Sequence, residues 1–135
     1  MVEVFDRFGK NAGKIWIELN KRGPLEEKTL LKKTRMKEED FYVAVGWLAR
    51  EDKICFNNGK YELNPTNLTH EIGGNAGKVY STLSTQGDIN ITSIAKATKI
   101  HKKDAYSAIG WLAREDKLGY KKKSSSISNI EYDLK

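Results

Sequence analysis

The octapeptide GWLAREDK stands at Gly46–Lys53 and returns, letter for letter, at Gly110–Lys117, 64 positions later. Carried outward at that shift, Asn11–Lys53 lies on Asn75–Lys117 without a gap, with 19 identities over 43 positions. Many remaining pairs are chemically alike, among them Ile15/Val79, Trp16/Tyr80, Leu30/Ile94 and Val45/Ile109. Self-similarity at a fixed period is the mark of a repeat architecture. Further on, Lys60-Tyr61-Glu62-Leu63 matches Glu131-Tyr132-Asp133-Leu134 at a shift of 71, so the second copy carries seven extra residues just before its end. The chain reads as a tandem duplication, with one unit at 1–64 and a second at 65–135. The link is placed at about 64–71, where Pro65 and an Asn/Thr-rich run read as connector. Leu68 and Ile72 match Val4 and Phe8, which predicts a short packed lead-in to each unit.

Each unit reads the same way. Asn11 or Asn75, a good N-cap residue, opens a first helix. Ala12, Ile15, Trp16 and Leu19 recur at helical spacing on one face, and Gly23 or Gly87 closes the helix. Leu25 or Ile89 forms a short strand. A second helix follows at about Glu26–Thr34 and Thr92–Thr98, and a third at about Lys37–Glu51 and His101–Glu115. Asp52 and Asp116 fall just past the third helix, at a position that is often left-handed and that Asp tolerates. A hairpin comes next. Ile54 and Phe56 go out, Asn58-Gly59 is a two-residue turn signal, and Tyr61 and Leu63 return. In the second copy Leu118 and Tyr120 go out and Ile130, Tyr132 and Leu134 come back across a longer tip. Helix, strand, helix, turn, helix, hairpin is the winged-helix plan. The predicted class is mainly α with small β-hairpins (α+β), as two tandem winged helix-turn-helix domains.

The openings Asn-Ala-Gly-Lys-(Ile/Val)-(Trp/Tyr) and the endings (Val/Ile)-Gly-Trp-Leu-Ala-Arg-Glu-Asp-Lys carry a resemblance. They are similar to a family of small prokaryotic winged-helix proteins of uncharacterised function, over nearly the whole chain, twice. The resemblance implies the fold and a loose expectation of DNA binding. It implies no activity.

Composition narrows the function classes. The apolar fraction is 39% and the charged fraction 31%, as small domains with much surface require. No apolar run approaches the ~20 residues that span a bilayer, so no membrane partner is expected. The start, MVEVFDRFGK, lacks a secretory pattern. The single cysteine, Cys55, allows no intrachain disulfide and no cysteine-based zinc site. The expected compartment is the cytoplasm, and no metal or cofactor is expected. Gly73–Lys78 resembles a phosphate-binding loop in outline. That loop needs a glycine where Ile72 stands and Ser or Thr where Val79 stands, so the pattern fails. No catalytic constellation and no small-molecule substrate is evident, so the protein is read as non-enzymatic.

A net charge of +6 favours an anionic partner, with double-stranded DNA first. Residues 1–64 carry 13 basic and 11 acidic side chains, and residues 65–135 carry 11 and 7, which places most of the excess in the second unit. The start of a recognition helix meets base edges. The first copy reads Lys37-Glu38-Glu39-Asp40 there, and three carboxylates repel phosphate. The second reads His101-Lys102-Lys103-Asp104. The predicted DNA contacts are therefore Lys96, Lys99, His101, Lys102, Lys103, Tyr106 and Ser107, with Lys121, Lys122 and Lys123 of the wing following the backbone. The expected role is a transcriptional regulator or chromosome-associated factor. The alternative is a protein-interaction scaffold without DNA binding.

Gly46 and Trp47 resist a purely local account. Gly inside a helix costs about 1 kcal/mol against Ala, and it is kept twice. The preferred reading lays the Trp over its own wing, with Gly making room. The competing one makes Gly46, Trp47 and Arg50 pack on Gly110, Trp111 and Arg114 across a pseudo-twofold axis, so that a single chain imitates a homodimer. The assembly is then a monomer with pseudo-twofold domains, or a weak dimer.

Overall fold

The computed structural model describes residues 4–121 and 126–135. Its first helix, α1, runs Val4–Arg22 and so begins seven residues before the expected start at Asn11. The cause is visible in the buried face. Val4 and Phe8 extend the stripe of Ala12, Ile15 and Leu19 by two turns, and Asn11 is buried within the helix instead of capping it. In the second unit a π-helical turn, Thr69–Gly73, leads directly into α4, Gly74–Thr85. The lead-ins are thus helical, and the end of the expected connector belongs to a helix.

The second helices are α2, Glu27–Thr34, and α5, Ile91–Thr98. Asn90 caps α5 by accepting the Ser93 N–H at 3.0 Å. Each ends on a left-handed residue, Arg35 (φ 56°) or Lys99 (φ 59°). The third helices are α3, Glu38–Arg50, and α6, Lys102–Arg114. Both stop by one device. Asp52 (φ 61°) and Asp116 (φ 60°) turn left-handed. The Lys53 N–H then donates to Leu48 C=O at 3.0 Å, and Lys117 to Leu112 at 3.1 Å. This is the Schellman closure, which satisfies carbonyls the helix end would orphan.

The first wing pairs β1, Ile54–Asn57, with β2, Lys60–Leu63, with Phe56 opposite Tyr61. Asn58 (φ 52°) and Gly59 (φ 78°) are both left-handed, as a type I′ turn requires. The second wing pairs β3, Leu118–Lys121, with β4, Glu131–Leu134, and a 3-10 turn at Ile127–Asn129 sits in its longer connection. Leu25 and Ile89 each add a single bridge, to Tyr61 and to Tyr132. The molecule is two tandem winged helix-turn-helix units.

The two cores exchange parts. Val4 and Phe8 of the first lead-in, and Val43 of α3, lie in the cluster built on Ile91, Ile109 and Tyr132 of the second unit. Ile72 of the second lead-in lies in the cluster of Ile15, Leu30, Phe41 and Ile54 of the first. Each unit is therefore closed by a turn of helix from the other. No described helix is long and apolar enough to cross a membrane.

Candidate nucleic-acid interface

The third helices, which in a lone winged helix are free to enter a groove, pack here on each other. A Cβ added to Gly46 would overlap the Ser107 carbonyl, and one added to Gly110 would overlap the Val43 carbonyl. Only glycine lets the two backbones come this close. At the C-terminal ends Arg50 Nε reaches Glu115 Oε2 at 3.0 Å and Arg114 Nε reaches Glu51 Oε2 at 2.9 Å. Arg50 also lies over the Trp111 ring and Arg114 over Trp47, both at 5.8 Å. Near the other end Tyr106 donates its hydroxyl to Glu39 at 3.2 Å. The two helices thus run side by side in the same sense.

The tryptophans are seated by glycines of the lead-ins. A Cβ on Gly9 would lie 3.3 Å from Trp47 Cζ2, and one on Gly73 would lie 3.2 Å from Trp111 Cζ2. Gly46 does not make room for its own tryptophan over the wing. Its close neighbour is the backbone of α6. The structure brings all six of Gly46, Trp47, Arg50, Gly110, Trp111 and Arg114 together along this seam.

The seam takes two of the expected DNA contacts out of reach. Tyr106 is 6% exposed and Ser107 is 8% exposed. The Ser107 hydroxyl donates to the Lys103 carbonyl at 3.2 Å. Burial, then the Glu39 carboxylate, push the Tyr106 phenol well above its ordinary range, which keeps it a neutral donor. From Ala105 to Gly110 every residue of α6 is buried. The expectation that Tyr106 and Ser107 face nucleic acid is corrected by this burial. It holds only for a third helix exposed as in an isolated unit, and α6 is not.

What stays exposed is a corner. Lys96 lies in the last turn of α5, Lys99 is its left-handed cap, His101 is the cap residue of α6, and Lys102 and Lys103 occupy the first turn of α6. All five are exposed. Lys121 is exposed too, but it is ion-paired with Asp88 at 3.1 Å, and that carboxylate holds its ammonium above the usual range. Lys122 and Lys123 lie outside the described residues.

A second basic corner is absent from the expected contacts. Lys28, Lys32, Lys33 and Arg35 line a shallow concavity of about 510 Å³ on α2, and Lys37 caps α3 beside it. Its sequence signal is Lys28–Lys37, a stretch with five basic residues. The carboxylates that follow mask that signal, yet two of them turn inward. Asp40 is 7% exposed and accepts from Arg7 Nη2 at 2.9 Å on both oxygens, and Glu39 holds Tyr106. Glu38 alone of the three stays fully at the surface. Because α3 and α6 run in the same sense, the two corners lie at the same end of the molecule.

The family model described as winged helix-turn-helix domain (DUF2582) matches the chain twice, over residues 5–65 and 68–129. No curated protein and no solved structure matches it.

Proposed function

Since the chain belongs to the winged helix-turn-helix family DUF2582, we propose that it is a non-enzymatic protein that binds double-stranded DNA through its phosphate backbone, as a regulator or chromosome-associated factor. The observation that carries this reading is the pair of exposed basic corners at one end of the seam. Lys96, Lys99, His101, Lys102 and Lys103 form one, and Lys32, Lys33, Arg35 and Lys37 form the other. Backbone contacts position a protein on the duplex, and base-edge contacts specify sequence. With Tyr106 and Ser107 buried, only the first turn of α6 remains to reach a base edge. Binding is therefore weakly sequence-selective and steeply salt-dependent. Lys121, Lys122 and Lys123 contribute to the net positive charge that draws the chain to a polyanion.

The test is a salt titration of duplex binding by fluorescence anisotropy. Replacing Lys96, Lys99 and Lys102 with Gln lowers the slope of log K against log salt by about 0.9 for each phosphate that is no longer neutralised. Unchanged slope in that variant, or no binding at low salt, overturns the reading. The burial of the base-reading face of α6 favours a second reading, a protein-interaction scaffold, and absence of DNA binding leaves that one standing.

A further inference from the structure

Two junctions of the fold correspond under the 64-residue shift. In one, the start of α1 meets the second wing and the first turn of α3. In the other, the π-helical turn meets the first wing and the first turn of α6. The shift pairs Phe5 with Thr69, Arg7 with Glu71, Asp40 with Asp104 and Tyr120 with Phe56.

In the first junction both kinds of group are present. The Phe5 ring meets Tyr120 edge-on at 5.1 Å and Phe8 at 5.6 Å. The Arg7 guanidinium binds both oxygens of Asp40 at 2.9 Å. In the second junction Thr69 stands in place of the ring and Glu71 in place of the cation. What remains is a cleft of about 440 Å³, lined by Tyr42, Phe56 and Tyr61 and by the carboxylates of Glu71 and Asp104. Phe56 is left 40% exposed. Among the described residues neither Glu71 nor Asp104 has an ion-pair partner. Glu26 and Glu27 add two more carboxylates to the lining, against the ammonium groups of Lys28 and Lys103.

We propose that this cleft is a binding site for a small organic cation that carries an aromatic ring, of the aryl-amine or aryl-guanidine class. The cation takes the place that Arg7 fills in the sister junction, against Asp104 and Glu71. The ring takes the place of Phe5, against Phe56. The segment 68–73 occupies the second junction as the start of α1 occupies the first: Ile72 enters the other core as Phe8 does, and Gly73 seats Trp111 as Gly9 seats Trp47. A volume of a few hundred Å³ with an apolar wall and a few charged groups suits such a ligand. Charge pairing and ring contact supply both halves of the recognition. The site borders the first basic corner and shares Lys103 with it, but its recognition of a cation does not rest on nucleic-acid binding.

The experiment is a 15N-HSQC titration of the full chain with phenethylguanidinium, beside ethylguanidinium and phenethyl alcohol, which each lack one feature. Expected are saturable shifts at the amides of Phe56, Glu71 and Asp104, and binding at least about tenfold weaker for either partial compound. The double variant Thr69→Phe/Glu71→Arg rebuilds the full junction and abolishes binding. If that variant does not fold by far-UV circular dichroism, Glu71→Lys, a change at an exposed position, gives the same loss. Equal or non-saturable shifts for all three compounds overturn the proposal, as does undiminished binding in either variant.

Discussion

The seam and the rim of this molecule have diverged to different degrees. Along the seam the two copies are identical from Gly46 to Lys53 and from Gly110 to Lys117. At the rim, Glu38 corresponds to Lys102, and Phe5 and Arg7 correspond to Thr69 and Glu71. The difference follows from the pseudo-twofold axis. The identical seam residues make their contacts in reciprocal pairs across that axis. Gly46 meets Ser107 while Gly110 meets Val43, and Arg50 pairs with Glu115 while Arg114 pairs with Glu51. A change on one side alone breaks a contact on the other. Rim residues have no such mirror, so each copy is free to acquire its own charge.

That contrast can be broken most directly at the glycines. Gly46→Leu forces a side chain into the Ser107 carbonyl and costs about 3 kcal/mol or more, read as a lower urea midpoint. If the midpoint is unchanged, the close approach of α3 and α6 is wrong. The second test sets one junction against the other. Arg7→Ala leaves the buried Asp40 carboxylate unpaired and costs about 2–3 kcal/mol, less than for a fully buried pair because Arg7 is partly exposed. Glu71→Gln, at the matched position, is neutral or slightly stabilising, since it relieves Asp104. Equal destabilisation at the two positions contradicts the asymmetry of the junctions. The third compares the wings. Tyr132 is completely buried, and its hydroxyl has no hydrogen-bond partner among the described residues. Tyr132→Phe therefore raises stability by about 1 kcal/mol. Smallest are the reciprocal ion pairs. Arg50→Ala and Arg114→Ala each cost about 0.5–1 kcal/mol, as exposed pairs with a ring contact do, and the two effects match within error.

Much of this architecture is legible in the sequence. The repeat, the three helices per unit, the left-handed Asp52 and Asp116 and the Asn58-Gly59 turn all rest on local chemistry that the backbone obeys. What is not legible depends on contacts between the copies. Asn11 resembles a cap, but the helix continues back to Val4 because Val4 and Phe8 have a partner in the other core. Tyr106 and Ser107 read as groove-facing because Glu39 and Gly46, which meet them, belong to the other unit. Small residues at Ala44, Gly46 and Ala49, and at Ala105, Ser107, Ala108 and Gly110, are the available sign that these helices are closely packed. Asp40 and Glu39 look like repellent charges because their partners, Arg7 and Tyr106, lie 33 and 67 positions away. The basic corners require only counting, but their sharing of one end follows from the parallel seam.

The exchange of lead-ins has a consequence for how the chain is made. During synthesis Val4 and Phe8 leave the ribosome well before Ile109, Ile130 and Tyr132, with which they share a core. The first unit must wait with an apolar turn exposed until the second unit has emerged. Both units then reach their final packing together, and the duplicated protein is born as one cooperative body rather than as a bead followed by a bead.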